Sequence, residues 1–377
     1  MLSDEDRAMT EGDAVIESLR ATAYRLPTPG PQGDGTLEWN ATTIVFVQAT
    51  AEGATGSGWT YCAAAAVDVV SEVLAEVVTG RSALEVPGAW LAMQRRIRNL
   101  GRPGLVSCAL SAVDIALWDL AAELAGLPLS RLLGKVHDSA PVYGSGGFTT
   151  YDDSRLRSQL EEWVGGQGIP RVKIKIGESW GTAVRRDLAR VRLAREVIGP
   201  STELYVDANG AYQAAQAIRV GQRLAESDVR WFEEPVSSDD LAGLRRVRQG
   251  VLPDVAAGEY GYDLPYFGRM VAAEAVDCLQ IDVTRCGGYT EWARAAAVAS
   301  TANLQVSAHC APNLSVHAAV CTPNLRHIEW FVDHDRLERL FFAGTVSPDG
   351  GQARPDLSVS GHGLVLLPEE ADRYRVR

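Results

Sequence analysis

Asp207, Glu233 and Glu259 each end or follow a short apolar run, and each stands about one strand-plus-helix unit from the next. Three carboxylates brought to one place repel one another unless a cation neutralises them. Oxygen donors, and only three of them from protein, suit octahedral Mg²⁺ with positions left for water and substrate. No His or Cys accompanies them at these three places, which argues against zinc.

Only three of the 36 basic residues are lysine: Lys135, Lys173 and Lys175. Arginine holds its proton in practice, whereas a buried lysine can titrate toward neutrality. A chain that uses arginine for plain positive charge has kept two lysines two residues apart, one unit before Asp207. A Lys-x-Lys on an edge strand would otherwise read as two solvated side chains. On the far side of the carboxylates, Asp282 and His309 end successive apolar runs. An Asp beside a His orients the imidazole and raises its basicity, although a lone His is as often a satisfied core residue. Two acid/base groups flanking a cation match one task, removal of the weakly acidic proton α to a carboxylate. The enolate formed carries extra negative charge, which a Lewis acid stabilises.

The elements that must position these groups follow from the apolar pattern. From residue 140, strand-like runs at 141–143, 172–176, 204–207, 230–232, 255–257, 278–282, 305–308 and 327–330 alternate with helical stretches such as 182–197, 211–224 and 289–302. Helical crossovers imply parallel strands, and eight is the count that closes a barrel. A doubly wound sheet competes, but it does not usually place polar residues at so many strand ends. In a barrel those ends face one mouth, where Lys173, Lys175, Asp207, Glu233, Glu259, Asp282, His309 and Glu329 would converge. Before residue 140 the pattern is α+β: a strand at 15–26, a Pro/Gly loop at 27–35, a strand at 42–50, a glycine-rich turn at 53–58, then helices at 63–78, 86–97 and 105–125. Residues 1–13 are polar and are expected to be poorly ordered.

These segments, in order, resemble the enolase superfamily and within it the mandelate racemase subgroup. The resemblance is carried by Ser111-Ala112-Val113-Asp114-Ile115-Ala116-Leu117-Trp118-Asp119, Lys173-Ile174-Lys175, Val206-Asp207-Ala208-Asn209-Gly210 and Trp231-Phe232-Glu233-Glu234-Pro235. It continues through Gly258-Glu259, Asp282 with Arg285-Cys286-Gly287-Gly288, Ser307-Ala308-His309 and Ile328-Glu329. It implies an α/β fold: a modified (β/α)8 barrel over 140–345, an α+β capping domain over 14–139, and a tail over 346–377 that returns to the cap. It implies Asp207, Glu233 and Glu259 as Mg²⁺ ligands and Lys175 as one acid/base. Lys173 becomes a carboxylate binder that lowers the pKa of Lys175, and His309 with Asp282 becomes the opposite dyad. Glu329 becomes a hydrogen-bond partner of the enolate oxygen, and Asn209 a substrate or metal-site contact. Cap loops near 24–26 and 53–61 would shape specificity, with Trp39, Trp59 and Tyr61 as candidates. Muconate-lactonising relatives carry a lysine where this chain has Asp282, so that chemistry is not expected.

The resemblance points first to a hydro-lyase that dehydrates an acid sugar to a 2-keto-3-deoxy product. A racemase, epimerase or cycloisomerase working through the same enolate comes second, and a non-catalytic barrel third. Composition agrees with a soluble enzyme. The formal net charge is −12 and there is no basic run, so neither nucleic acid nor a membrane surface is an expected partner. Neither a membrane-spanning stretch nor a signal peptide is expected, and the protein is expected to be a cytoplasmic homo-oligomer acting on a small carboxylate. Six cysteines without a Cys-x-x-Cys pair read as free thiols.

Overall fold

The computed structural model describes residues 14–377. The expected disorder of 1–13 lies outside the described residues. The chain opens with a three-stranded antiparallel sheet, β1 (Ser18–Gly33), β2 (Glu38–Ala51) and β3 (Ala54–Tyr61). Two expectations fail here. The Pro/Gly stretch 27–35 is mostly strand: pairing with β2 slips between Pro27 and Gln32, then resumes with Gln32 opposite Trp39. An edge strand tolerates prolines because their missing N–H groups face no partner. The glycine-rich stretch 53–58 turns only at Glu52-Gly53, where both φ angles are positive (48° and 77°). Gly56 and Gly58 then lie within β3, beneath the helix Leu105–Ala125. A Cβ on Gly56 would fall 2.2 Å from the Leu120 nitrogen, and one on Gly58 2.4 Å from the Ala112 carbonyl. These glycines serve close packing rather than turning.

Leu105–Ala125 is strongly apolar and mostly buried. Contrary to the expectation from sequence, it is long and apolar enough to cross a membrane by length and composition, yet it packs inside the protein. Gly126, left-handed at φ 62°, ends it. Two buried acids moor it. Asp114 accepts from the Thr290 N–H (3.0 Å) and hydroxyl (2.5 Å) on a barrel helix, and Asp119 accepts from the N–H groups of Ser57 and His362.

Eight parallel strands follow: β4 (Ala140–Gly146), β5 (Arg171–Lys175), β6 (Glu203–Asp207), β7 (Val229–Glu233), β8 (Asp254–Ala257), β9 (Cys278–Ile281), β10 (Gln305–Ala308) and β11 (Leu325–Phe331). β11 pairs in parallel with β4, so the sheet closes into a barrel with helices around it. Its lumen is filled by Tyr143, Tyr205, Trp231, Ala256 and Cys278, so it is a packed core with its chemistry confined to the mouth. The tail adds Gln352–Ala353 antiparallel to the start of β4, then reaches the first sheet, where the Ala23 N–H donates to the Arg377 carbonyl.

Candidate active site

Strand register sets the site. Lys175 is the register partner of Asp207, and Asp207 of Glu233. Ile281 pairs with Ala308, so Asp282 and His309 leave β9 and β10 side by side. Glu259 reaches the same mouth through Gly258, whose φ is 136° and whose Cβ would stand 2.1 Å from the Gln280 carbonyl. Only glycine lets the backbone turn there. Asn209, Glu234, Cys310 and Ala311, all just beyond strand ends, have φ between 35° and 50°. Such strain in non-glycine residues gathers where the surroundings force it, as at functional sites.

One oxygen from each of Asp207, Glu233 and Glu259 lies within 4.8 Å of the others, and all three residues are buried. Lys173 is fully buried among carboxylates, with Nζ 2.5 Å from Glu233 Oε1 and 2.8 Å from Glu329 Oε1. It does not line the cavity above, whereas Lys175 does. Lys175 Nζ sits 2.5 Å from Asp207 Oδ2. Burial pulls the Lys175 pKa down and Lys173 adds to that, but Asp207 and the other carboxylates outweigh both and raise it. The lowering expected from Lys173 is therefore present but overruled in this arrangement.

The carboxylate cluster is short of positive charge. Burial pushes Glu233 up to about 8, with Asp207 and Glu329 adding to it, even though Lys173 opposes them. The Oε1 of buried Glu234 and the Oδ1 of Asn209 have no donor, and Glu259 Oε2 faces only His309 Nε2 at 3.2 Å. Orphaned buried oxygens beside three carboxylates are what a hard divalent cation satisfies, so the donor set fits Mg²⁺.

Opposite Lys175, His309 Nδ1 lies 2.7 Å from Asp282 Oδ2, while Asp282 Oδ1 accepts from the Thr284 N–H and hydroxyl. Asp282 thereby fixes the ring, and Nε2 is left to face Glu259, Cys310 Sγ (3.3 Å) and Glu329 Oε2 (3.6 Å). Burial alone would lower the His309 pKa, but Cys310, Glu259, Glu329 and the Asp282 hydrogen bond raise it well above the usual value. Glu329 accepts from the Ser145 hydroxyl at 2.6 Å. Burial would raise its pKa, but Lys173 and His309 hold it below the ordinary carboxylate range. A donor to an enolate oxygen would need the reverse.

Lys175, Asn209, Glu259, His309 and Glu329 line one cavity of about 350 Å³ between the barrel mouth and the first sheet. Trp39 and Tyr61 also line it. Trp59 does not: it is buried, stacked on Phe342 at 4.3 Å. Tyr24 and Leu26 are buried strand residues rather than loop. Sequence reasoning passed over Glu234, Arg285 and His334 as individual site residues. Arg285, three residues past Asp282, bonds Glu259 Oε1 at 3.1 Å. His334 lies in a helix with no motif to mark it.

Residues 31–134 match the family model for the N-terminal domain of mandelate racemase/muconate lactonizing enzyme, and residues 155–371 match the model for the enolase C-terminal domain-like fold. The chain belongs to this family. A family member from Streptomyces coelicolor, 3,6-anhydro-alpha-L-galactonate cycloisomerase, is 33% identical over 371 residues, covering 96% of this chain and all of the relative. A mandelate racemase/muconate lactonizing enzyme-like protein from Rubrobacter xylanophilus is 46% identical, with TM-score 0.93 over 96% of this chain and all of the other. A racemase from Streptomyces coelicolor solved with bound magnesium is 32% identical, with TM-score 0.90 over the same shares. Other family relatives of this chain are named as sugar-acid dehydratases, a second cycloisomerase and a dipeptide epimerase.

Proposed function

We propose that this protein removes the proton α to the carboxylate of an acid sugar and expels the oxygen on the β-carbon, acting as a hydro-lyase that yields a 2-keto-3-deoxy acid. The observation that carries this reading is the single cavity lined by both Lys175 and the Asp282-oriented His309, beside three buried carboxylates. Asp207, Glu233 and Glu259 would hold Mg²⁺, which supplies a Lewis acid for the substrate carboxylate and the charge that develops on it.

Engaging Asp207 in that way would remove the strongest upward pull on Lys175, so that burial and Lys173 would lower its pKa against the remaining upward pull of Glu329 and Glu233. Lys175 takes the α-proton on its face. His309, held in one orientation by Asp282, protonates the departing oxygen. Lys173, 2.8 Å from Glu329 Oε1, keeps that carboxylate in its ionised form. Asn209 offers its free Oδ1 to a substrate hydroxyl or a bound water.

The full-length relative named as a cycloisomerase favours a second reading, in which the expelled oxygen belongs to a ring and stays attached. The early proton abstraction is common to both. Incubation of an acid-sugar panel with Mg²⁺, read for 2-keto product and mass, tests the proposal. Dehydration loses the mass of one water and cycloisomerisation keeps it. No 2-keto product and no α-proton exchange from any member would defeat both readings.

A further inference from the structure

The wall of the cavity facing the barrel is built mainly from the first sheet, with Asp34, Leu37, Trp39, Thr43 and Tyr61, joined by His334 from the barrel side. Among the described residues, the lysine and arginine lining the cavity, Lys175 and Arg285, both lie at the carboxylate end, as does His309. Lys175 is spent on Asp207, and Arg285 on Glu259 (3.1 Å) and Asp282 (3.4 Å). The opposite wall offers instead the Asp34 carboxylate, whose Oδ1 accepts from the N–H groups of Thr36 and Leu37. A second substrate carboxylate placed there would meet like charge with no counter-ion.

That wall also holds one donor whose direction is fixed. His334 Nδ1 accepts the Ala311 N–H at 3.2 Å, so the proton of the neutral ring is on Nε2. The ring stacks on Tyr61 with centroids 3.4 Å apart and planes 11° apart, and the Tyr61 hydroxyl is tied to Glu338 Oε1 at 2.8 Å. Burial pulls the His334 pKa down to about 3, so the ring is neutral at ordinary pH. Among the described residues nothing accepts from Nε2.

We propose that the substrate is a monocarboxylate whose uncharged far end, a hydroxyl or ring oxygen, accepts a hydrogen bond from His334 Nε2–H, and that sugar diacids are rejected. His334 is thus a specificity residue that touches substrate away from the reacting carbons. The inference rests on the acid-sugar reading above.

Matched pairs of aldonates and aldarates of the same configuration, assayed with Mg²⁺ for α-proton exchange and 2-keto formation, test it. The monoacid of the productive pair should exceed its diacid in kcat/KM on the order of 10²-fold or more. His334→Phe keeps a ring against Tyr61 and loses the donor. It should raise KM for the monoacid about tenfold with kcat little changed, and His334→Gln should recover part of the loss. Preference for diacids by the unaltered enzyme overturns the inference while leaving the acid-sugar reading intact. Exchange with neither class overturns both. An unchanged KM in a folded His334→Phe removes His334 from the proposal.

Discussion

Lys175 and Asp207 are register partners on neighbouring barrel strands, and the lysine Nζ lies 2.5 Å from the carboxylate Oδ2. The proposed base and a proposed metal ligand therefore share one electrostatic balance. What neutralises Asp207 decides whether Lys175 is an ion-pair partner or a base. Lys175→Arg keeps the charge and the pairing but cannot give up its proton. Exchange of the α-proton on the Lys175 face should fall on the order of 10²–10⁴-fold or more. Near-native turnover in this variant would show that Lys175 is only a positive charge.

His309 is separable from Lys175 because the two lie on different strands. His309→Asn should still exchange the α-proton of a substrate presented to Lys175, read by deuterium incorporation. Elimination should fail, since nothing protonates the leaving oxygen. Loss of exchange on both faces, in a variant that still binds Mg²⁺, would mean that the two groups do not act independently.

Metal dependence follows from the shortage of positive charge around Glu233. Chelation should abolish activity, and added Mg²⁺ should restore it. Mg²⁺ should also raise the melting temperature of the native protein, as any ligand of the folded state does. Glu233→Gln should keep the fold and lose most of that Mg²⁺-dependent rise. Full activity in excess chelator would remove the metal from the mechanism.

Glu338, buried beneath Tyr61, gives a pH signature in stability. Burial pushes its pKa up to about 7 from an ordinary 4.5, although Asn313 and Tyr61 donate to it. The folded state thus keeps a proton that the unfolded chain releases first. The resulting stability is complete below about pH 4.5 and is lost as pH rises through about 7. Glu338→Gln cannot titrate. The stability difference between native protein and variant, from denaturant melts at several pH values, should shift against the native protein across that window. A flat difference would show that Glu338 keeps an ordinary pKa.

The order of chemistry-bearing residues along the chain was enough to place the barrel. Short apolar runs with a polar residue at or just past the C-terminal end are local features, and parallel closure follows from their number and the helices between them. All eight barrel strands lie where the apolar runs put them, within a few residues. Asp207, Glu233, Glu259, Lys175, Asp282 and His309 were legible because each stands at a strand end, which one-dimensional spacing records. The cap was legible only in part. Gly56 and Gly58 carry the composition of a turn, but they are glycine because Leu120 and Ala112 of a distant helix press on them, and no local window contains that helix. Prolines 27, 29 and 31 look like a loop because the edge position that excuses them depends on which strand lies beside β1. The approach of Tyr61 to His334, the tautomer that Ala311 imposes on that ring, and the net direction of the Lys175 pKa are sums over groups from distant segments. Residue types set what those groups can do, and only their separation in three dimensions, through desolvation and Coulomb's law, decides what they do.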